Sequence, residues 1–306
     1  MTKPRRPSKP GLPKAPTRRS PTPGRVAGGA KGRPGPGTAR GKQGTGAGAG
    51  RSSTKRQGLG GDQVEGRQAV RELLMAGRRK VREVWVLAEQ DPADILEDIA
   101  ELAEAERVPV RQVGRGKFFS EARCEAPQGV LAKAAPLEEQ LLDDLATTRR
   151  DGQVPFLVAV DGVTDPGNLG ALLRSAECAG ATGIVLPRHR AVHITPTVTK
   201  TAAGAVEHLA FAVVGGLPTA LQDLRRKGVW VVGLDGEGDT PLWRLPAADG
   251  PIALVLGAEG TGLSRLVRQR CDAIASIPLR GTLSSLNVAA AAAVACYEVA
   301  RIRSSS

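Results

Sequence analysis

Between residues 155 and 280 the chain carries five short apolar runs, at 156–160, 183–186, 229–234, 252–256 and 274–278. None of them alternates with polar residues. A strand with one wet face alternates, whereas a strand buried on both faces reads as a continuous apolar run. The runs therefore predict a parallel sheet covered by helices on both sides, an α/β domain over residues 155–303. Helices are expected between the strands at 168–179, around 198–206 and at 218–227, with an Ala-rich one closing the chain at 285–302. No apolar stretch approaches the roughly 18 residues of a membrane span, and the N-terminus lacks the apolar core of a secretory signal. Four widely spaced cysteines (Cys124, Cys178, Cys271, Cys296) form no CxxC pair. That spacing fits a reduced, cytoplasmic compartment and points to neither a disulfide framework nor a zinc site.

The 62–136 segment is a smaller α/β unit. Ala69, Val70, Leu73 and Leu74 recur at helical spacing, and Gly77 ends that helix. An alternating strand is expected at 81–87. Pro92 opens a helix with Ile95, Leu96, Ile99 and Leu102 on one face, and further strands are expected at 109–113 and 128–134. A charged linker, helical through Leu145, is expected at 137–154.

Residues 1–61 differ in kind. They hold 15 Lys or Arg, 15 Gly and 9 Pro, but no Asp or Glu. The rest of the chain holds 28 basic and 31 acidic residues, so the formal net charge of +12 belongs to the tail alone. Such a segment buries too little apolar surface to order itself, and disorder is expected. A polycation of this kind is drawn to phosphate backbones without sequence preference.

Three strand-to-loop junctions concentrate the unusual residues. In the first, 161–174, Asp165 is placed to cap a helix with Pro166 at its first position, and Gly170, Arg174 and Glu177 share one helical stripe. On spacing alone Arg174 is either a ligand-facing group or a surface charge paired with Glu177. In the second, 254–263, Gly257, Gly260 and Gly262 let the backbone approach something closely. The spacing is GxxGxG after a late strand, so neither dinucleotide nor phosphate-loop motifs apply. Glu259 stands inside this loop. The third, 277–287, runs from Ile277-Pro278 to Ser285-Leu286-Asn287, with Ser284 or Ser285 placed to cap the last helix. No metal-ligand spacing is present, and His189, His193 and His208 are remote from the junctions in sequence.

Together, in this order and spacing, the three junctions resemble the motifs of the SpoU (TrmH-like) branch of the SPOUT RNA 2′-O-ribose methyltransferases. Asn168, Gly170 and Arg174 carry the first motif, Gly257-Ala-Glu259-Gly260 the second, and Ile277-Pro278 with Ser285-Leu286-Asn287 the third. Gly66-Arg67 and Gln128-Gly129 make residues 62–136 resemble the ribosomal-protein-like RNA-binding domain of rRNA-modifying members. Gln68 and Pro127 depart from residues common there.

The resemblance implies a parallel sheet with a C-terminal trefoil knot, which pattern alone does not suggest. It implies S-adenosylmethionine held by backbone groups at Gly257, Ile277 and Leu286, and a homodimer with the last helix at the interface. It also implies 2′-O-methylation of RNA by Arg174, Asn168, Glu259, Ser285 and Asn287. A guanidinium stays protonated in proteins, so Arg174 is expected to hold a phosphate and stabilise developing alkoxide rather than act as a base. Large-subunit rRNA is favoured as the substrate, with a guanosine as target and tRNA as the alternative. Two other classes compete: a catalytically silent RNA-binding assembly factor, and a nucleotide-dependent oxidoreductase.

Overall fold

The computed structural model describes residues 58–148, 150–189, 193–245 and 248–304. The expected disordered tail falls outside them except at 58–61, and there the expectation is corrected. Leu59 is buried in the large core. Ile194 N–H donates to Leu59 O at 3.0 Å and Gly61 N–H to Ile194 O at 2.8 Å. A single Leu in a Gly-rich context finds its partner 135 residues away, which local composition cannot register.

The smaller unit contains β1 (Gln63–Glu65), α1 (Arg67–Ala76), β2 (Val81–Leu87), α2 (Asp94–Ala105), β3 (Val110–Val113), α3 (Arg115–Glu121) and β4 (Val130–Ala134). The sheet order is β1-β4-β2-β3. The strand β4 runs antiparallel to β1 and β2, and β3 parallel to β2. The expected strict alternation of β2 fails because both its faces are covered. Val84 packs with α1 and α2, while Trp85 and Leu87 pack with Phe118 of α3. Neither β1 nor α3 was anticipated, and both are too short to show a period.

The segment expected as a charged helical linker is bound to the rest of the chain in its first part. Leu137 N–H donates to Gly60 O at 2.9 Å and Gln140 N–H to Phe211 O at 2.7 Å. Only α4 (Leu142–Leu145) is helical. A buried ion pair also ties the two sheets' units together. The Arg79 guanidinium meets both Glu207 carboxylate oxygens, at 2.8 and 2.6 Å, with the two side chains 6% and 1% exposed. Removing one partner of such a pair costs about 3–5 kcal/mol, because the other charge is left buried.

The larger unit follows as β5 (Phe156–Asp161), α5 (Pro166–Cys178), β6 (Gly183–Pro187), α6 (Pro196–Thr201), a 3-10 turn (Ala205–Glu207), β7 (Phe211–Val214) and α7 (Leu217–Arg226). Next come β8 (Trp230–Leu234), β9 (Thr240–Pro241), a second 3-10 turn (Leu242–Arg244), β10 (Ile252–Gly257), α8 (Arg265–Arg268), β11 (Ala273–Ser276) and α9 (Val288–Ser304). The sheet order is β7-β6-β5-β10-β8-β11-β9, with every pairing parallel.

Two-sided burial accounts for the continuous apolar runs. Phe156, Val158 and Val160 enter one core, alongside residues of α5, α6 and α9. Leu157 and Ala159 enter the other, alongside α4 and α7. The helix expected near 198–206 is broken instead, because Gly204 takes a left-handed φ of 87° between α6 and the 3-10 turn. The last helix starts at Val288, not at Ser285. Asn287, rather than either serine, caps it, with its Oδ1 accepting from Ala289 N–H at 2.9 Å and Ala290 N–H at 3.3 Å. At the far end of α9, Arg303 donates to the carbonyls of Val154, Pro155, Ala248 and Gly250. The helix is thereby clamped to the entry of β5 and β10. Among the described residues, no helix is long and apolar enough to cross a membrane.

Candidate functional site

The carboxyl ends of β5, β10, β8 and β11 lie side by side in the sheet order. This is where open α/β sheets place ligands. The three junctions read from sequence leave from three of those ends, and hydrogen bonds join them.

Asp165 caps α5 by accepting from Asn168 N–H at 2.6 Å, which holds Asn168 at the first turn. The Asn168 side chain then links the other two junctions. Asn287 Nδ2 donates to Asn168 Oδ1 at 2.8 Å, and Asn168 Nδ2 donates to Glu259 Oε2 at 3.2 Å. The amide orientations follow from the network. Asn287 Oδ1 is committed to the backbone of α9, so its nitrogen must donate. Asn168 Oδ1 must therefore accept, leaving its nitrogen for the Glu259 carboxylate. The end of the chain of bonds is an acceptor-only group, as a carboxylate requires.

The glycine loop is built by contact with itself. Gly262 N–H donates to Ala258 O at 2.9 Å. A Cβ on Gly257 would lie 2.3 Å from the Gly262 carbonyl carbon. Gly260 and Gly262 hold φ values of 79° and 63°, which a side chain would strain. Glu259 does not cap the helix that follows. That place is taken by Asp161, whose Oδ2 accepts from Ser264 N–H at 2.7 Å.

A cavity of about 570 Å³ opens at this end of the sheet, lined by Gly257, Glu259, Ile277, Ser285 and Leu286. Sequence reasoning missed a fourth contributor, Leu234-Asp235-Gly236-Glu237 at the end of β8. The signal was available: an apolar strand ending in Asp-Gly, as β5 ends in Asp161-Gly162. Asp235 is held by Arg268 at 2.7 Å, and its Oδ1 accepts from Glu237 N–H at 3.0 Å. The lining has apolar walls from Leu234, Leu256, Ile277 and Leu286, three carboxylates (Asp235, Glu237 and Glu259) and no Lys, Arg or His. Its size suits a cofactor-sized ligand. Arg268 offsets Asp235, which leaves Glu237 and Glu259 to favour a cationic ligand over a diphosphate, because like charges brought together repel.

Arg174 stands apart from this network. It is exposed on α5, six residues and about 9 Å along the axis from Asn168. Its side chain makes no hydrogen bond or ion pair among the described residues. The expected surface pair with Glu177 is not formed, and Glu259 is engaged by Asn168. Gly170, between them, serves packing: a Cβ there would meet Thr201 Cβ at 2.6 Å and Val198 O at 2.8 Å. Among the cysteines, burial pushes the Cys271 and Cys296 thiols up to about 12, so neither is a thiolate at neutral pH. Among the described residues, no group of three or more His, Cys, Asp or Glu side chains is placed to hold a metal ion.

The relatives agree with this geometry. Residues 155–297 match the SpoU rRNA Methylase family, and residues 63–140 match the RNA 2'-O ribose methyltransferase substrate binding family. The 23S rRNA (guanosine-2'-O-)-methyltransferase RlmB of Pseudomonas aeruginosa is 40% identical over 245 residues, spanning 79% of this chain and 97% of that protein. The protein of the same name from Photobacterium profundum is 35% identical, spanning 80% of this chain and 99% of its own. Among solved structures, the SpoU methyltransferase AviRb from Streptomyces viridochromogenes, in complex with the cofactor AdoMet, superposes with a TM-score of 0.67 at 28% identity. It covers 79% of this chain and 90% of its own. With both family matches and full-length relatives at this identity, the chain belongs to the SpoU rRNA methylase family.

Proposed function

We propose that this protein uses S-adenosylmethionine to methylate the ribose 2′ oxygen of a guanosine in 23S rRNA. The observation that carries the reading is the cavity at the ends of β8, β10 and β11, which is apolar-walled, lined by three carboxylates and free of basic side chains. S-adenosylmethionine supplies an electrophilic methyl on a positively charged sulfur, and its charge matches that lining. Gly257, Ile277 and Leu286 hold it through backbone groups. Ser285 lines the same cavity. Glu259, Asn168 and Asn287 set the cavity rim as one hydrogen-bonded chain. Arg174 lies outside the cavity and serves the RNA. It grips the phosphate beside the target ribose and stabilises charge on the attacking oxygen, while solvent or a phosphate oxygen takes the proton.

In this reading residues 62–136 bind the RNA, 137–154 connect, and 155–303 catalyse in the cytoplasm, where ribosomal RNA is found. The chain after β11 forms a trefoil knot. What supports the knot is that α9 packs on α5 and β10, although β11 lies on the far side of β8. Residues 277–287 must therefore cross over the strand ends to return.

The protein works as a homodimer. Leu283 and Tyr297 are 79% and 53% exposed, and Ala290 is exposed two turns before Tyr297 on α9, apolar exposure of the kind a partner covers. Sedimentation is expected to give a dimer, and a fully active monomer would contradict it.

The basic tail, 1–61, adds sequence-independent affinity. Its deletion is expected to raise KM for RNA at low salt and flatten the salt dependence without changing the methylated nucleotide. An unchanged salt slope would remove that role.

The central experiment is mass-spectrometric mapping of 2′-O-methyl sites in 23S rRNA and tRNA from cells with and without the protein. Loss of one 23S guanosine methylation is expected. Loss confined to tRNA would move the substrate, and no loss would point to a silent assembly factor.

A further inference from the structure

The helix α6 is a thin spacer between the substrate-binding unit and α5. On one side it presses on α5 so closely that Gly170 leaves no room for a Cβ beside Thr201. On the other side Lys200 lies on the small unit. A Cβ on Gly66 would sit 3.1 Å from Lys200 Cγ and 3.1 Å from Gln128 Oε1. The stem of Lys200 is thus packed against the seam. Its ammonium forms no hydrogen bond or ion pair among the described residues, and its field reaches the Cys124 thiol across the seam.

No carboxylate is paired with this cation among the described residues. Arg67 donates to the Gln128 carbonyl at 3.1 Å and the Gln90 amide oxygen at 3.1 Å, both neutral. Glu65 is buried, and its oxygens accept from Gln63 and from the backbone N–H groups of Arg123 and Cys124, neutral donors, rather than from Lys200. Glu72 is taken up by Arg71 and His208. Arg67 on α1, Lys200 on α6 and Arg174 on α5 are thus cations without a carboxylate partner among the described residues, on helices that pack in the order α1, α6, α5.

We propose that Lys200 is a positioning residue that grips an RNA phosphate at the seam between the two units, so that RNA held by the small unit is delivered in register to Arg174. The proposal rests on the RNA methyltransferase reading above. A phosphate is the fitting target, because an ammonium is a point charge with three rotatable donors and reads no base edge.

The test uses the full chain and an unmodified 23S rRNA transcript. Lys200→Met keeps the packed stem, Lys200→Gln keeps the polarity, and Lys200→Arg keeps the charge. Both neutral variants are expected to raise KM for RNA about tenfold, the loss of one charge-assisted contact. They are expected to lower the log–log salt slope of binding by about 0.7–0.9. The value of kcat at saturating RNA, cofactor affinity and the unfolding midpoint should stay at wild-type values, and Lys200→Arg should keep a low KM. Unchanged KM, an unchanged salt slope, or a loss confined to kcat would overturn the proposal. A wild-type protein that binds no S-adenosylmethionine and transfers no methyl would instead overturn the underlying reading. The two failures are therefore distinguishable.

Discussion

Replacing Arg174 by Ala is expected to slow methyl transfer at saturating cofactor and RNA by about 10²–10³-fold, the usual cost of removing one preorganised group that stabilises developing charge. Cofactor affinity should stay within about twofold, because Arg174 does not line the cavity. Arg174→Lys should recover little, since an ammonium cannot reproduce a planar bidentate fork on phosphate. The side chain is exposed and makes no hydrogen bond or ion pair among the described residues, so neither variant should change the unfolding midpoint by more than about 0.5 kcal/mol equivalent. Single-turnover transfer and calorimetric titration of the cofactor separate these effects. Full activity in the Lys variant would sink the phosphate-gripping role. Loss of cofactor affinity in the Ala variant would mean that Arg174 belongs to the cavity after all.

What could be read from the sequence depended on how local the cause was. The central strands were legible because burial on both faces removes polar residues from a whole run, as in 156–160 and 252–256. The edge strand β7 was not, because Phe211–Val214 is four residues followed by Gly215-Gly216 and offers no period. The start of α9 was misread for a different reason. Ser284 and Ser285 are as good caps as Asn287 by residue type. Asn287 wins because its amide nitrogen is also needed by Asn168, 119 residues away.

The site divides the same way. Asn168, Glu259 and Asn287 were singled out by their motifs, but that they form one chain of hydrogen bonds is a fact of topology. Asp235 and Glu237 were missed because each sits in an ordinary acidic loop. The Asp-Gly ending shared with β5 hinted at the loop, and the parallel pairing of β8 with β10 and β11 brings it to the cavity.

The glycine loop gives the second large effect, through a contrast between two residues three apart. Gly257→Ala is expected to abolish measurable cofactor binding, with affinity lowered by at least about 100-fold, or about 2.7 kcal/mol. Its Cβ would lie 2.3 Å from Gly262 C, 2.4 Å from Gly262 O and 2.5 Å from Leu263 N. All three atoms are backbone, so no rotamer change relieves the clash. The loop must open, and the Ala258–Gly262 closure that shapes the cavity wall must go with it. Gly260→Ala tests the other way a glycine can matter. Nothing lies within 4 Å of its would-be Cβ, but its φ is 79°. The cost there is left-handed strain alone, about 1–2 kcal/mol, on a loop whose close contacts remain intact. Gly260→Ala should therefore weaken the cofactor about tenfold or less and retain turnover at high cofactor concentration. Titration of both variants with S-adenosylmethionine, alongside their unfolding midpoints, separates sterics from strain. Equal losses in the two would mean that loop flexibility, not close packing at Gly257, governs the cavity. Near-normal binding by Gly257→Ala would show that the cofactor does not depend on this wall at all.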